Sequence, residues 1–247
     1  MIDRLRTLHR DEDGFSLIEL LSALAIGGIV LTALMGIFVG GVRGTTGIQN
    51  RLDNTERARY TLDRVVRLLD SQVCAQLTST SDVGTPPVFS GSDSNTATFF
   101  ADLGGATGTP NKYVIAYTPK SGTTGGTLSV ATYAYNAGAW TTKVGPTNVV
   151  ASDIVPVKDA AGIDQPIFTY YPFITSSAVA SDIGNVSTTP AATPLSAGAA
   201  LTIVKVGVQF GAISSTSHLD NAQHAYVSGS GTLATFDADP TNPPACP

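Results

Sequence analysis

The chain begins with a short polar segment and then changes abruptly to a long apolar run. Phe15 to Val42 is 28 residues long, and Glu19 is its one charged residue. A helix of this length rises about 42 Å at roughly 1.5 Å per residue, enough to cross a bilayer core of about 30 Å. A secretory signal peptide has a shorter apolar core, of roughly 7–15 residues, with a cleavage site after it. The pattern therefore predicts a membrane-spanning helix over 15–42, in which a carboxylate is a candidate functional group by default.

Beyond the apolar run, hydrophobic positions recur at helical spacing. The stripe consists of Leu52, Ala58, Leu62, Val65, Val66, Leu69 and Val73. This pattern predicts that the helix continues over 43–77 as an amphipathic half packed on a domain. Charged residues, among them Arg57, Arg64 and Arg67, occupy much of the remaining helix surface. These arginines are either a site for anions or DNA or, the interpretation we favour, a solvated face with acidic partners at i,i+4.

From residue 78 the pattern changes to short apolar or alternating runs separated by Gly, Pro and Asn turns. Asn136-Ala137-Gly138 suits the loop of a hairpin between the third and fourth runs. Two stretches rich in Ser, Thr, Ala, Gly and Pro, 176–200 and 214–245, are predicted to be loops. The fold class is therefore α+β, with a long N-terminal helix and a β-rich domain over 78–247. The predicted antiparallel strands are Thr96–Ala101, Lys112–Thr118, Thr127–Tyr135, Trp140–Val144, Ile167–Tyr171 and Leu201–Ala212.

Charge is sparse and unevenly placed in this 247-residue chain. Its 14 Lys and Arg and 19 Asp and Glu give a formal net charge of −5, which excludes a generally basic nucleic-acid-binding protein. All nine arginines lie at or before Arg67, whereas the chain from Ser71 onward carries five Lys and ten Asp. That C-terminal part is rich in Thr, Ser, Ala and Gly. Such a composition favours an extracytoplasmic β-rich domain over a cytosolic enzyme.

The sequence has two cysteines, Cys74 and Cys246. This number excludes a cysteine-rich scaffold and a four-thiolate zinc site. Both residues would lie outside the cytoplasm, where disulfides persist, so a bridge between them would tie the Pro-rich tail back to the end of the helix. The alternative is a buried free Cys74 with an unpaired Cys246. Mass spectrometry of the unreduced protein distinguishes the two, because the bridge leaves no free thiol.

The residues at the start of the apolar run carry a specific motif. Gly14-Phe15-Ser16-Leu17-Ile18-Glu19-Leu20-Leu21 resembles the processing motif of type IV prepilins and type II secretion pseudopilins. The resemblance implies that a membrane-embedded prepilin peptidase removes the leader 1–14 by cutting after Gly14, and methylates the new N-terminal Phe15. It also implies that Glu19 neutralises the Phe15 amine of a neighbouring subunit during assembly, which removes two charges that are costly in lipid. Alternatively, the Glu19 side chain extends to the membrane interface and keeps its charge in water, without a partner in another subunit.

Two further features bear on the orientation and packing of this helix. The leader carries Asp11-Glu12-Asp13 before Gly14, whereas leaders of the family are usually basic. The motif, and not the charge bias, therefore supports a cytoplasmic N-terminus. Small residues line one face of the span and either permit close helix approach or soften the helix in a filament. They are Gly28, Thr32, Gly36, Gly40 and Gly44.

Other short motifs in the sequence give no catalytic or metal site. The sequence has neither a phosphate-binding loop nor a nucleophile elbow, and His218 and His224 have no evident nucleophile partner. The stretch Asp102-Leu103-Gly104-Gly105-Ala106-Thr107-Gly108 lacks the repeated Asp of a calcium loop. Asn185-Val186-Ser187 is a formal glycosylation sequon. We therefore expect no enzyme activity, no cofactor and no metal.

The β-rich part adds a looser resemblance, to minor pseudopilins of the J type, in which an N-terminal helix packs on antiparallel sheet. It is carried by Phe99-Phe100-Ala101-Asp102-Leu103-Gly104, Phe168-Thr169-Tyr170-Tyr171 and the late strand Val204–Phe210. The resemblances imply a minor pilin-like subunit that spans the inner membrane once and then enters a type IV pilus or a secretion pseudopilus. Its partners would be prepilin peptidase, other pilin or pseudopilin subunits, the inner-membrane assembly platform and membrane lipid. The alternative is a DNA-uptake or adhesive minor pilin at the filament tip, with DNA or a surface ligand as partner.

Overall fold

The computed structural model describes residues 16–73, 88, 90–103, 110–121, 125–136, 139–174, 185–213 and 225–232. The chain divides into two compact units, Met1–Gln49 and Asn50–Pro247. Helix α1, Leu17–Asp70, contributes residues to both units. The long N-terminal helix predicted from the apolar run and the amphipathic stripe is therefore confirmed.

Helix α1 ends where its backbone begins to pair with the sheet. Gln72 forms an antiparallel bridge with Ala101, and Val73 N–H donates a hydrogen bond to Phe100 O at 3.0 Å. Backbone groups that pair with a strand are not available to continue a helix. The helix therefore ends at Asp70, and its predicted continuation to residue 77 is wrong.

The described part of the second unit contains one sheet of eight strands, in which every pair is antiparallel. The strands are β1 (Thr96–Ala101), β2 (Asn111–Pro119), β3 (Gly126–Asn136), β4 (Ala139–Lys143), β5 (Asn148–Val155), β6 (Phe168–Pro172), β7 (Ile203–Ala212) and β8 (Ala225–Thr232). The central order of the sheet is β1-β2-β3-β5-β7-β6, while β4 pairs with β3 and β8 pairs with β7. A four-residue helix, α2 (Ala197–Ala200), precedes β7. The predicted α+β class is thus confirmed.

The six predicted strands are all present, with small shifts at their ends. Asn136 of β3 lies opposite Ala139 of β4, which confirms the predicted hairpin. The largest shift is at the start of β7, where residues 201–202 form a turn after α2. Helix α2 itself lies in the stretch 176–200, which was predicted to be a loop. It begins at Ser196, whose hydroxyl accepts a hydrogen bond from Ala199 N–H at 3.2 Å and so caps the helix.

Strand β5 was not predicted, because its side chains do not alternate regularly. Asp153 has a φ of 59°, a conformation that few residues other than glycine adopt. The register between β3 and β5 also shifts twice, between Gly126 and Thr127 and between Leu128 and Ser129. Bulges of this kind break the period of two on which strand prediction depends.

Strand β8 lies inside the stretch 214–245, which was predicted to be a loop. Its residues Ser228-Gly229-Ser230-Gly231 are typical of turns, yet here they lie under helix α1. A Cβ added at Gly229 would lie 3.0 Å from Val66 Cγ2, and one added at Gly231 would overlap Leu69 Cβ. The glycines are thus required by the close approach of helix and strand, which no local pattern reveals.

The core lies between the second part of α1 and one face of the sheet. The helix buries Ala58, Val65 and Leu69, as the stripe predicted. Leu52 is instead 60% exposed, while the polar residues Asn54 and Thr61 are buried. Positions 54, 58, 61 and 65 share one helix face, and position 52 points elsewhere. The largest buried side chains of the sheet are aromatic: Phe99, Phe100, Phe168, Tyr170 and Phe210.

Tyr170 is fully buried, and its hydroxyl lies 2.8 Å from Thr96 O and 3.1 Å from Asp93 O. Burial raises the pKa of Tyr170 above its ordinary value. The folded state therefore keeps this proton at pH values where an unfolded tyrosine, with a pKa of about 10, loses it. The contribution of the buried, protonated Tyr170 to the free energy of unfolding is fully present below about pH 10 and is lost as the pH rises above that value.

We expect Tyr170→Phe to lower the free energy of unfolding by about 1–3 kcal/mol at neutral pH, because two partly buried carbonyl groups lose their hydrogen-bond donor. We also expect the variant to lose stability less steeply than the parent above about pH 10. Urea unfolding followed by fluorescence of Trp140, the single tryptophan, measures both effects. Tyr60→Phe is the control, since Tyr60 is 70% exposed and should change neither quantity. If the free energy of unfolding fell equally steeply with pH in the parent and in Tyr170→Phe, the loss of stability at alkaline pH would not come from Tyr170.

Candidate functional site

The apolar part of α1 exposes nearly all of its large hydrophobic side chains. Leu17 and Ile18 are each 76% exposed, and Ile29 and Ile37 are exposed to a similar degree. An 18-residue window of this helix has a mean hydropathy of 2.3, and none of it is buried. By length and composition the helix is able to cross a membrane, and lipid or another helix would then cover these side chains.

Glu19 lies in the first turn of α1, with its side chain exposed. The backbone N–H groups of Glu19 and Leu20 donate hydrogen bonds to Ser16 O, at 2.9 and 3.1 Å. A carboxylate at this end of a helix interacts favourably with the helix dipole. Ser16 and Glu19 also have the spacing of a capping box, Ser-x-x-Glu, which is a local signal for a helix start. The charge of Glu19 is therefore favourable at the helix start, and its part in assembly stays a prediction.

Hydroxyl groups within the apolar segment bond to the helix backbone. Ser22 Oγ donates to Glu19 O at 2.9 Å, and Thr32 Oγ1 donates to Gly28 O at 2.8 Å. Thr45 Oγ1 lies within bonding distance of both Gly41 O and Val42 O. Because these polar groups are satisfied inside the helix, they are compatible with an apolar surrounding.

The small residues of the apolar segment leave open space beside the helix. An added Cβ at Gly28, Gly36, Gly40 or Gly44 would meet no atom within 4 Å. A shallow apolar groove beside the first of these is lined by Leu20, Ala23, Leu24, Gly27, Gly28 and Leu31. This geometry lets another helix approach closely along this face.

Most of the predicted site residues lie outside the described part of the chain. These are the processing residues Gly14 and Phe15 and the cysteines Cys74 and Cys246. The histidines His218 and His224, for which no catalytic role is predicted, also lie outside it. Glu19 is the predicted assembly residue that the structure places. The pairing of the two cysteines accordingly stays a prediction.

The arginines of the second half of α1 differ in their surroundings. Arg67 pairs with Asp63 at 2.8 Å, both side chains being largely exposed, which confirms an i,i+4 acidic partner for this residue. Arg64 has no ion pair within the described residues. In that same part of the chain, no three His, Cys, Asp or Glu side chains lie close enough together to hold a metal ion.

Comparison with known families adds a finding about the N-terminus, where the motif, the apolar helix and Glu19 coincide. Residues 9–35 match the prokaryotic N-terminal methylation motif. The matched segment includes Gly14, Phe15 and Glu19 and extends over the first part of α1. The match supports a type IV pilin-like family, and it implies processing by a prepilin peptidase and assembly with other pilin subunits. Neither a curated protein nor a solved structure matches the chain significantly.

The matched motif and the apolar helix near the N-terminus together support a membrane-anchored pilin-type subunit. The helix supplies the anchor because its side chains are apolar and uncovered over its first part. The antiparallel sheet then forms the second unit together with the remaining part of the helix.

Proposed function

We propose that the chain is a minor, pseudopilin-like structural subunit of a type IV pilus or a secretion pseudopilus, similar to the J type. The observation that carries the proposal is the order Gly14-Phe15, Glu19 and an apolar helix with exposed side chains from Leu17 onward. Its role would be structural rather than catalytic. The N-terminus would be cytoplasmic before cleavage, and the sheet would lie outside the inner membrane.

Assembly would replace lipid contacts of α1 by helix–helix contacts. The apolar side chains are shielded from water both in lipid and in a helix bundle. Assembly would therefore depend on close packing between helices and not on the transfer of apolar surface out of water. The open space beside Gly28, Gly36, Gly40 and Gly44 supports such packing. The antiparallel sheet of the second unit would then determine which neighbouring subunits the chain accepts.

Glu19 would fix the axial position of the subunit in the assembly. After cleavage the Phe15 amine lies four residues before Glu19, so the amine of one chain meets the carboxylate of the next only at certain axial offsets. Each charge alone is costly in an apolar bundle, and their pairing removes that cost. We propose this pairing as the source of register.

Co-expression with a prepilin peptidase tests the proposal. We expect the mature chain to lack residues 1–14 and to begin with an N-methylated Phe15, as measured by intact mass and N-terminal analysis. Gly14→Val should leave the precursor uncut, because a bulky side chain precedes the scissile bond. Gly28→Val is the matched control and should be cut normally, since an added Cβ at Gly28 meets nothing within 4 Å. A mature chain that starts at Met1, or after another site, would overturn the proposal.

A further inference from the structure

The residues of strand β8 alternate between the two faces of the sheet. Gly229 and Gly231 lie against α1, so Ser228 and Ser230 point to the opposite face. A groove of about 310 Å³ lies on that face and crosses strands β6, β7 and β8. Its volume is at the lower end of the range of small-molecule sites, roughly 300–1,000 Å³. The contact with α1 explains the two glycines of β8, and the groove gives the two serines a surface to line.

Gly207 of β7 forms the floor of the groove. It lies directly opposite Thr169 of β6 on one side and Ser230 of β8 on the other. A Cβ added at Gly207 would overlap Thr169 Oγ1 and would lie 3.2 Å from Tyr171 Cε2. The close approach of these two side chains therefore requires glycine at this position, and it places a hydroxyl group and an aromatic ring beside the floor.

The hydroxyl groups of the groove are available to a ligand. The side chains of Thr169, Ser228 and Ser230 form no hydrogen bond with the described part of the chain. At one end, Gln209 Nε2 donates to Pro166 O at 3.1 Å, which holds this amide group in place. Each hydroxyl can both donate and accept a hydrogen bond. A ligand with hydroxyl groups of its own can therefore replace, bond for bond, the water that such groups otherwise bind.

Lys205 is the one charged residue among the described residues that line the groove. Its Nζ lies 5.3 Å from the centre of the Tyr171 ring, a contact that favours an ammonium group at this position. Lys158 pairs with Asp164 at 2.7 Å, whereas Lys205 forms no ion pair with any described residue. The groove therefore favours a ligand that is anionic as well as rich in hydroxyl groups.

We propose that this groove binds an acidic saccharide, whose anionic group pairs with Lys205 and whose hydroxyl groups bond to the three hydroxyl side chains. A lipid tail or an apolar peptide side chain would find little uncovered apolar surface apart from the Tyr171 ring, since Val208 is only 2% exposed. The groove lies wholly within the second unit. Binding would thus add a function beyond filament assembly, and it would not depend on cleavage after Gly14.

Isothermal titration calorimetry of the full chain in detergent tests the proposal with three compounds. Trigalacturonate is an acidic saccharide, maltotriose is a neutral saccharide of the same length, and citrate is a polyanion without sugar rings. We expect trigalacturonate to bind at least about tenfold more tightly than maltotriose or citrate, because it alone engages both Lys205 and the hydroxyl groups. Added salt should weaken its binding, because salt screens the charges.

Two variants test the residues of the groove. Lys205→Gln should weaken trigalacturonate binding about tenfold and leave maltotriose binding unchanged, because it removes the charge and keeps a polar side chain. Ser228→Ala combined with Ser230→Ala should weaken the binding of both saccharides. Lys143→Gln is the matched control, since Lys143 is exposed on β4 and does not line the groove. Urea unfolding checks that each variant is folded.

Three results would overturn the proposal. The first is a parent chain that does not bind trigalacturonate. The second is a parent chain that binds citrate or maltotriose as tightly as trigalacturonate, because the groove would then recognise an anion alone or a neutral sugar. The third is an equal loss of affinity in Lys143→Gln and Lys205→Gln. Each result leaves the cleavage assay unaffected, so a failure of this proposal is distinguishable from a failure of the proposed function.

Discussion

Replacing Glu19 with glutamine should leave the chain inserted and cleaved but should keep it out of filaments. The variant keeps the size and hydrogen-bonding capacity of the side chain and removes its charge. Gln suits the fourth position of a Ser-x-x-Glu/Gln start as well as Glu does, so we expect the helix start to be preserved. Under the proposed pairing, the variant removes the partner of the Phe15 amine of a neighbouring chain. An unpaired charge buried among apolar helices costs about 3–5 kcal/mol, so incorporation should fall at least about 100-fold.

Incorporation is measured by quantifying the subunit in sheared filaments relative to the membrane fraction. Glu19→Asp is the matched control, since it keeps the charge and shortens the side chain, and it should assemble better than Glu19→Gln. Glu19→Ala should assemble as poorly as Glu19→Gln, although it also weakens the helix start. If Glu19→Gln enters filaments normally while Glu19→Ala does not, the role of Glu19 is helix capping and the proposed pairing is wrong.

Replacing Gly231 with alanine should destabilise the second unit by about 3 kcal/mol or more. The added Cβ would overlap Leu69 Cβ and would lie 3.0 Å from Leu69 C and 3.2 Å from Asp70 N. Two of these atoms belong to the helix backbone and cannot move without shifting α1 away from β8. Overpacking of this kind typically costs 1–3 kcal/mol, and sites that confront backbone are at the upper end. Urea unfolding followed by Trp140 fluorescence measures the change.

Two other glycines of the second unit provide graded controls. At Gly229 the nearest atoms are Val66 Cγ2 at 3.0 Å and Leu62 Cδ1 at 3.2 Å, both ends of side chains that can adjust. Gly229→Ala should therefore cost less than Gly231→Ala. Gly198 lies in α2 with nothing within 4 Å of an added Cβ, so Gly198→Ala should have no effect or a small stabilising one. A loss of stability at Gly231 no larger than at Gly198 would contradict the close helix–strand approach.

The candidate site was largely predictable from the sequence because its determinants are local. An apolar run of 28 residues interrupted by Glu19 alone suffices to predict a helix that can cross a membrane, since each residue contributes independently of distant contacts. The motif around Gly14-Phe15 is likewise a short contiguous signal. The start of α1 is also encoded locally, because Ser16 and Glu19 have the Ser-x-x-Glu spacing typical of a helix N-terminus.

The long helix, most of its buried stripe and six of the strands were predictable from the sequence, because each has a regular period of apolar positions. The tertiary structure decided where α1 ends, since Gln72 pairs with Ala101. It also decided that the glycine-rich stretch of β8 is a strand, since α1 passes directly over it. Asp70 and Thr232 are joined by a hydrogen bond across 162 positions of the chain. Contacts between residues so far apart leave no trace in a local pattern, and they override the propensity of the residues involved.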